Sequence, residues 1–149
     1  MYDSFYASVE CPHCGKPLRE EYPTKLRSKP NASYFTVGDR FEFDMAEARA
    51  SGYFVLERPA GDTVRIGQVR EDSTCGHWPG WAEVVIERDV ITSIRAIVLD
   101  AVAFDRLHLI DDEAGHYIAA ALGAEPYPDF DRLPELGRAW LAEDPAREL

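Results

Sequence analysis

The pentapeptide CPHCG at residues 11–15 carries the clearest chemical signal in the sequence. It places two thiols, Cys11 and Cys14, two residues apart around a turn. Pro12 presets the backbone of such a turn, and Gly15 can adopt the positive φ that a tight turn requires. Structural Zn²⁺ takes four ligands, commonly thiolate sulfurs and imidazole nitrogens. The motif therefore predicts half of a zinc site.

The best candidate for the other half is STCGHWPGW, at residues 73–81. It contains the third cysteine of the chain, Cys75, and His77 two positions later. An imidazole reaches further than a thiol, so it can make up for the short spacing. We therefore predict a Cys₃His zinc site. Its ligands are Cys11, Cys14, Cys75 and His77.

Two alternatives to this ligand set remain open. His13 lies between the first two cysteines and could supply the fourth ligand, although its side chain should point away from a metal held by its neighbours. In the other alternative the second half is a remnant, and Cys75 is buried as an ordinary small apolar residue.

The two motifs together resemble the zinc-ribbon class, in which two knuckles at the tips of two hairpins clamp one metal. The resemblance covers roughly residues 4–22 and 64–98 and rests on CPHCG and CGH. The chain departs from the class in that a histidine stands where the second knuckle has its second cysteine, and in the long spacer between Cys14 and Cys75. The resemblance implies a structural zinc ion. It implies no single activity, because ribbons serve as nucleic-acid readers, protein adaptors and structural staples.

Signals for catalysis are weaker. Asp112 and His116 lie four residues apart on a predicted helix, so they share a face and could bind a metal or exchange protons. The simpler interpretation is that the acid favours the helix N-terminus and that His116 faces solvent. The zinc-deaminase pattern is absent, as are a phosphate-binding glycine loop and a GxSxG elbow.

Tryptophans flank a rigid Pro-Gly turn in HWPGW. Trp78 and Trp81 are candidate partner-binding residues, because tryptophans exposed on a rigid turn anchor interfaces. The alternative is that they pack across a small domain. Trp140 fits an apolar helical stripe and is expected in the core.

The first hundred residues read as β-rich and the last fifty as helical. The clearest hairpin spans 81–99, with ERD at its reversal. Other strand-like segments, and a short helix at 44–52, precede it. The strand-like segments are 4–11, 33–43, 52–58 and 62–72.

Two helices are predicted after residue 100. The first, at 111–123, begins with a capping aspartate and ends at Gly123, and the second spans 129–145. We therefore predict an α+β fold. It has an antiparallel, zinc-ribbon-like β core of two to three hairpins (1–100) and a helical region (101–149) on the same core, as one domain.

Charge and composition narrow the function. The 149-residue chain carries a net charge of −11 and three cysteines. Its first ten residues do not show the basic start and apolar stretch expected of a signal peptide, and no apolar run is long enough to span a bilayer. We expect a cytoplasmic, acidic zinc-binding adaptor for a protein partner. A basic partner, and a role of the immunity or antitoxin kind, are specific forms of this expectation. The alternatives are a nucleic-acid-associated ribbon, using the basic strip 16–29 with Tyr22 and Tyr34 as stacking residues, and a metal-dependent enzyme.

Overall fold

A computed structural model describes residues 3–27, 33–46, 48, 53–70, 80–123 and 132–149. The strands of this part of the chain are β1 (Asp3–Glu10), β2 (Pro17–Thr24), β3 (Tyr34–Phe35), β4 (Tyr53–Val55), β5 (Thr63–Arg70), β6 (Gly80–Glu87), β7 (Val90–Ile97) and β8 (Leu109–Ile110). Its helices are α1 (Ala101–Asp105), α2 (Asp112–Ala121) and α3 (Leu133–Ala142). The predicted α+β class is therefore confirmed.

The strands form two sheets. The small sheet has the order β2-β1-β3, with an antiparallel β1–β2 hairpin and a parallel β1–β3 pair. The large sheet has the order β7-β6-β5-β4-β8, and all of its pairings are antiparallel. Among the described residues, no strand of the small sheet pairs with a strand of the large sheet. Side chains must therefore make the contacts between the two sheets.

The large sheet is the middle layer of three, because both of its faces are covered. On β6, every residue from Trp81 to Ile86 is buried, which requires apolar or paired side chains on both sides of the strand. Val84 packs with Phe5 of the small sheet in one hydrophobic cluster. Trp81 packs with Phe104 and the helices in another.

The predicted hairpin at 81–99 is present as β6 and β7, and its turn is an unusual one. Arg88 and Asp89 both have positive φ, 50° and 64°, as a two-residue type I′ turn requires. These residue types are less suited to this conformation than Asn-Gly. The β-branched strands on either side therefore specify the turn despite its sequence.

The helices begin and end for local reasons. Asp111 caps α2, its Oδ1 accepting a hydrogen bond of 2.9 Å from the N–H of Ala114, as predicted. Gly123 follows α2 with a φ of +68°. The helix α1, which has only five residues and is capped by Asp100, was not predicted from the sequence. Within the described residues there are thus three helices where two were predicted.

One further prediction is tested only in part. Of the short helix predicted at 44–52, the structure describes 44–46 and 48, where residues 45 and 46 form a turn. The remaining positions lie outside the described residues. Among the described residues, no helix is both long and apolar enough to cross a lipid bilayer.

Candidate metal centre

The first cysteine motif forms the tip of the β1–β2 hairpin. The N–H of Cys11 donates to the carbonyl of Lys16 over 3.0 Å and closes the hairpin. The N–H of Gly15 donates back to the carbonyl of Cys11 over 2.8 Å, and Gly15 has a φ of +70°. The backbone turn between the two cysteines is therefore built as the CPHCG sequence predicts. We refer to residues 11–15 as the knuckle.

The two cysteines of the knuckle have different surroundings. Cys11 is 4% exposed and packs with Val9 and Leu18 of the hairpin and with Ala96 of β7. Cys14 is exposed, and neither cysteine is in a disulfide. Packing against β7 thus anchors one thiol at the sheet, while the other faces outward from the turn.

The knuckle lies near the end of the large sheet from which the second cysteine motif departs. Ala96, which contacts Cys11, pairs with Ala82, two residues from the start of β6. Arg70 and Gly80 pair at that same end, and the chain between them carries the second motif. Strands lie about 4.8 Å apart and rise about 3.3 Å per residue, so the knuckle is within roughly 10–15 Å of both ends of this connection.

The other predicted ligands, Cys75 and His77, lie outside the described residues. The connection that carries them, residues 71–79, has a contour length of roughly 30 Å. A loop of this length, with both of its ends at the sheet, can reach at most about 15 Å from the sheet. The topology therefore permits both motifs to reach one metal ion. The described residues alone contain no group of three or more His, Cys, Asp or Glu side chains that could hold a metal.

His13, the alternative fourth ligand, has a different neighbour. Its Nδ1 lies 2.6 Å from Oε1 of Glu148. Leu149, the next residue, exchanges two backbone hydrogen bonds with Leu99, of 3.0 and 3.1 Å. This contact engages one of the two ring nitrogens that could bind a metal, and it ties the knuckle to the segment beside the large sheet.

Of the two predicted partner-binding tryptophans, Trp78 and Trp81, the structure describes Trp81. Trp78 lies outside the described residues. Trp81 is 2% exposed and packs against Phe54, with ring centroids 5.4 Å apart in an edge-on arrangement. A side chain so buried offers no surface to a partner, so at Trp81 the packing alternative is the one that fits. Trp140 is partly buried against the helix-side core, and the guanidinium of Arg147 covers its ring at 4.7 Å.

The candidate pair on α2 does not form a described metal site. Nδ1 of His116 lies 2.6 Å from the backbone carbonyl of Asp112, which satisfies that nitrogen within the helix. Asp112 and Glu113 are exposed acids in the first turn. This arrangement matches the structural interpretation of the pair.

In the basic strip at 16–29, two of the side chains that the nucleic-acid hypothesis needs, those of Tyr22 and Arg27, are engaged inside the protein. Tyr22, a proposed stacking residue, is 2% exposed and belongs to the core between the sheets, so it cannot stack on a base. Arg27 donates from Nε to Asp3 over 2.9 Å, and its guanidinium lies over Phe35 and Phe41. Tyr34 is exposed, as that hypothesis needs, and so are Lys16, Arg19 and Lys25, whereas Lys29 lies outside the described residues.

A charged cluster on the helix-facing side of the large sheet was not predicted from the sequence. Glu83 is 2% exposed, and Nε of Arg95 donates to its Oε1 over 2.9 Å. Arg65 and Arg106 each approach the same carboxylate to 3.9 Å. Glu83 and Arg95 are cross-strand partners, a relation that becomes visible only once the register of β6 and β7 is known.

Comparisons with known proteins add no relative to this picture. No protein-family model, no curated protein and no solved structure matches the chain.

Proposed function

We propose that the chain is a small cytoplasmic zinc-binding adaptor, in which a structural zinc ion is held by Cys11, Cys14, Cys75 and His77. The observation that supports this most is the knuckle. Its hairpin tip, its closing hydrogen bonds and the positive φ of Gly15 are the features that let two thiols share one metal. A bound zinc would staple the tip of the small sheet to the connection at the end of the large sheet.

The donor set argues for a structural role of the metal. Three thiolates and one imidazole fill the four positions of a tetrahedral zinc, which leaves none for water. Because zinc is redox-inert, the ion would contribute stability and a fixed loop geometry. Reduced thiols are needed for this, in keeping with a cytoplasmic location.

The experiment that tests the metal centre is zinc content per chain by elemental analysis, with Cys14→Ser and His77→Ala beside the parent protein. We expect one zinc per chain in the parent and loss or weakening in both variants. His108→Ala is the matched control, because His108 is exposed and belongs to neither cysteine motif. Full zinc occupancy in His77→Ala contradicts the proposed ligand set, and absence of zinc from the parent contradicts the metal centre altogether.

The adaptor role rests on charge. Most of the net charge of −11 falls in residues 100–149, and the described acids of this segment are largely exposed on the helical layer. A surface of this sign attracts a basic protein and repels nucleic acid. Association with a basic partner should slow steeply as salt is added, as followed by stopped-flow mixing. A rate constant that does not change with salt contradicts an acidic contact surface.

A further inference from the structure

The outer face of the small sheet carries exposed aromatic side chains. Tyr6 on β1 is 43% exposed and Tyr34 on β3 is 65% exposed. Val37, in the turn that follows β3, is 50% exposed. Of the five large hydrophobic residues found exposed in the described part of the chain, these three lie on or next to the small sheet. Such clustering is a recognised sign of a contact surface.

The two tyrosines line an open groove of about 720 Å³. Hydroxyl and charged side chains complete its walls. The lining residues are Tyr6, Ala7, Ser8, Arg19, Glu20, Glu21, Tyr34 and Thr36. This mixture of tyrosine rings and hydrogen-bonding groups is typical of a protein-binding surface and differs from the apolar composition of a hydrophobic core.

The register fixes the spacing of the two rings. Tyr34 pairs with Ser4 of β1, and Tyr6 lies two residues further along β1 on the same outward face. With strands about 4.8 Å apart and a rise of about 3.3 Å per residue, the two tyrosine Cα atoms lie about 8 Å apart. One turn of a polyproline II helix advances three residues at about 3.1 Å each, or about 9 Å. Prolines one turn apart on such a ligand therefore match the two tyrosines.

The edge of the sheet disfavours the other common mode of peptide binding. β2 is an edge strand, and Pro17 and Pro23 stand near its two ends. A proline has no backbone N–H, so each removes a donor that an added β-strand would need. At the β2 edge these missing donors disfavour strand addition and favour binding by side chains on the face, which is how polyproline II ligands bind.

Charge favours a basic ligand. The charged residues that line the groove are two acids, Glu20 and Glu21, against one cation, Arg19. The net charge of the whole chain, −11, adds a long-range field of the same sign. This field repels the phosphates of a nucleic acid and attracts the arginines of a proline-rich peptide.

We propose that the outer face of the small sheet binds a proline-rich, arginine-containing segment of a partner protein in polyproline II conformation, with Tyr6 and Tyr34 packing on prolines one turn apart. This assignment rests on the proposed adaptor function and names the chemistry of its partner. It adds a second contact, distinct from the acidic helical layer, on the face of the small sheet opposite the one that packs on the large sheet.

The test is an NMR titration of the full chain, as purified, with a synthetic peptide of Pro-Pro-Arg repeats. We expect chemical-shift changes at Tyr6 and Tyr34, and binding roughly tenfold weaker in Tyr6→Ala and in Tyr34→Ala. Tyr34→Phe keeps the ring and should keep most of the affinity. Val102→Ala, which removes a 70% exposed apolar side chain on α1, is the matched control and should bind like the parent.

Other outcomes overturn the assignment. If a peptide of Ala-Ala-Arg repeats binds as well as the proline peptide, charge alone drives the contact and the tyrosines have no specific role. If oligodeoxythymidine binds the face and the proline peptide does not, the surface binds single-stranded nucleic acid. If neither alanine substitution weakens peptide binding, the ligand sits elsewhere. Each result is independent of the zinc content of the chain, so the metal centre can stand or fall separately.

Discussion

Replacing Gly15 by Ala tests whether the knuckle is coupled to a metal ion. Gly15 has a φ of +70°, and a Cβ added there would meet no other atom within 4 Å. The substitution therefore adds no clash and acts only through the backbone. A residue with a Cβ in the left-handed region is less stable by about 1–2 kcal/mol.

The conformational cost becomes a loss of zinc affinity if the metal-free knuckle can relax. Without metal, the turn can relieve the strain by rotating away from positive φ, which breaks the hydrogen bond from Gly15 to Cys11. With metal, the thiols must stay in place and the strain persists. We therefore expect zinc affinity to fall by about 5- to 30-fold, the equivalent of 1–2 kcal/mol. A competition titration with a chromophoric chelator measures this change.

Gly61→Ala is the matched control. Gly61 lies between β4 and β5 with a φ of +58°, and a Cβ there would also meet no atom within 4 Å. This variant should lose a similar 1–2 kcal/mol of stability in urea unfolding and should bind zinc like the parent. Zinc affinity within about twofold of the parent in Gly15→Ala would refute the reasoning. It would mean that the turn is equally rigid with and without metal.

Three further predictions concern stability. In Gly137→Ala the new Cβ would lie 2.2 Å from the ring of Phe104, so we expect a loss of about 1–3 kcal/mol in urea unfolding, where a helix-propensity effect alone would give a gain of about 1 kcal/mol. Asp89→Gly relieves a φ of 64° in the β6–β7 turn and should raise the free energy of unfolding by about 0.5–1 kcal/mol, whereas an unchanged melting temperature contradicts this. Burial, and secondarily the carboxylate of Asp111, raise the pKa of Tyr53. As the pH rises, the phenol of the unfolded state therefore loses its proton before that of the folded state, so the contribution of Tyr53 to stability is lost above about pH 10. Because Phe has no phenol, Tyr53→Phe should flatten the decline in the free energy of unfolding measured between about pH 9 and 11.

Local patterns were sufficient for the elements whose physical causes are local. The hairpin at 81–99, the cap at Asp111 and the glycine that follows α2 all depend on neighbours a few residues away, and all were predicted. The knuckle belongs to the same group, because its turn depends on Pro12, Gly15 and the spacing of two cysteines. The five-residue helix α1 was missed, because a segment this short has too few residues for an apolar period to show.

Other features depend on residues that are distant in the chain. The burial of Tyr22 and Trp81, each a candidate surface aromatic by sequence, follows from the stacking of the small sheet and the helices on opposite faces of the large sheet. The cluster around Glu83 requires the register of β6 with β7 and the position of Arg106 after α1. Neither relation has a signal in any window of a few residues.

One physical difference separates the features that the sequence predicts from those that it does not. The sequence by itself determined turns, caps and the presence of a two-thiol knuckle, because backbone dihedral preferences and short-range hydrogen bonds decide these. Only the tertiary structure decided which face each strand presents to which layer. The free energy of burying that face depends on the partner surface, so an aromatic residue such as Tyr22 becomes core while Tyr34, on the same small sheet, stays exposed.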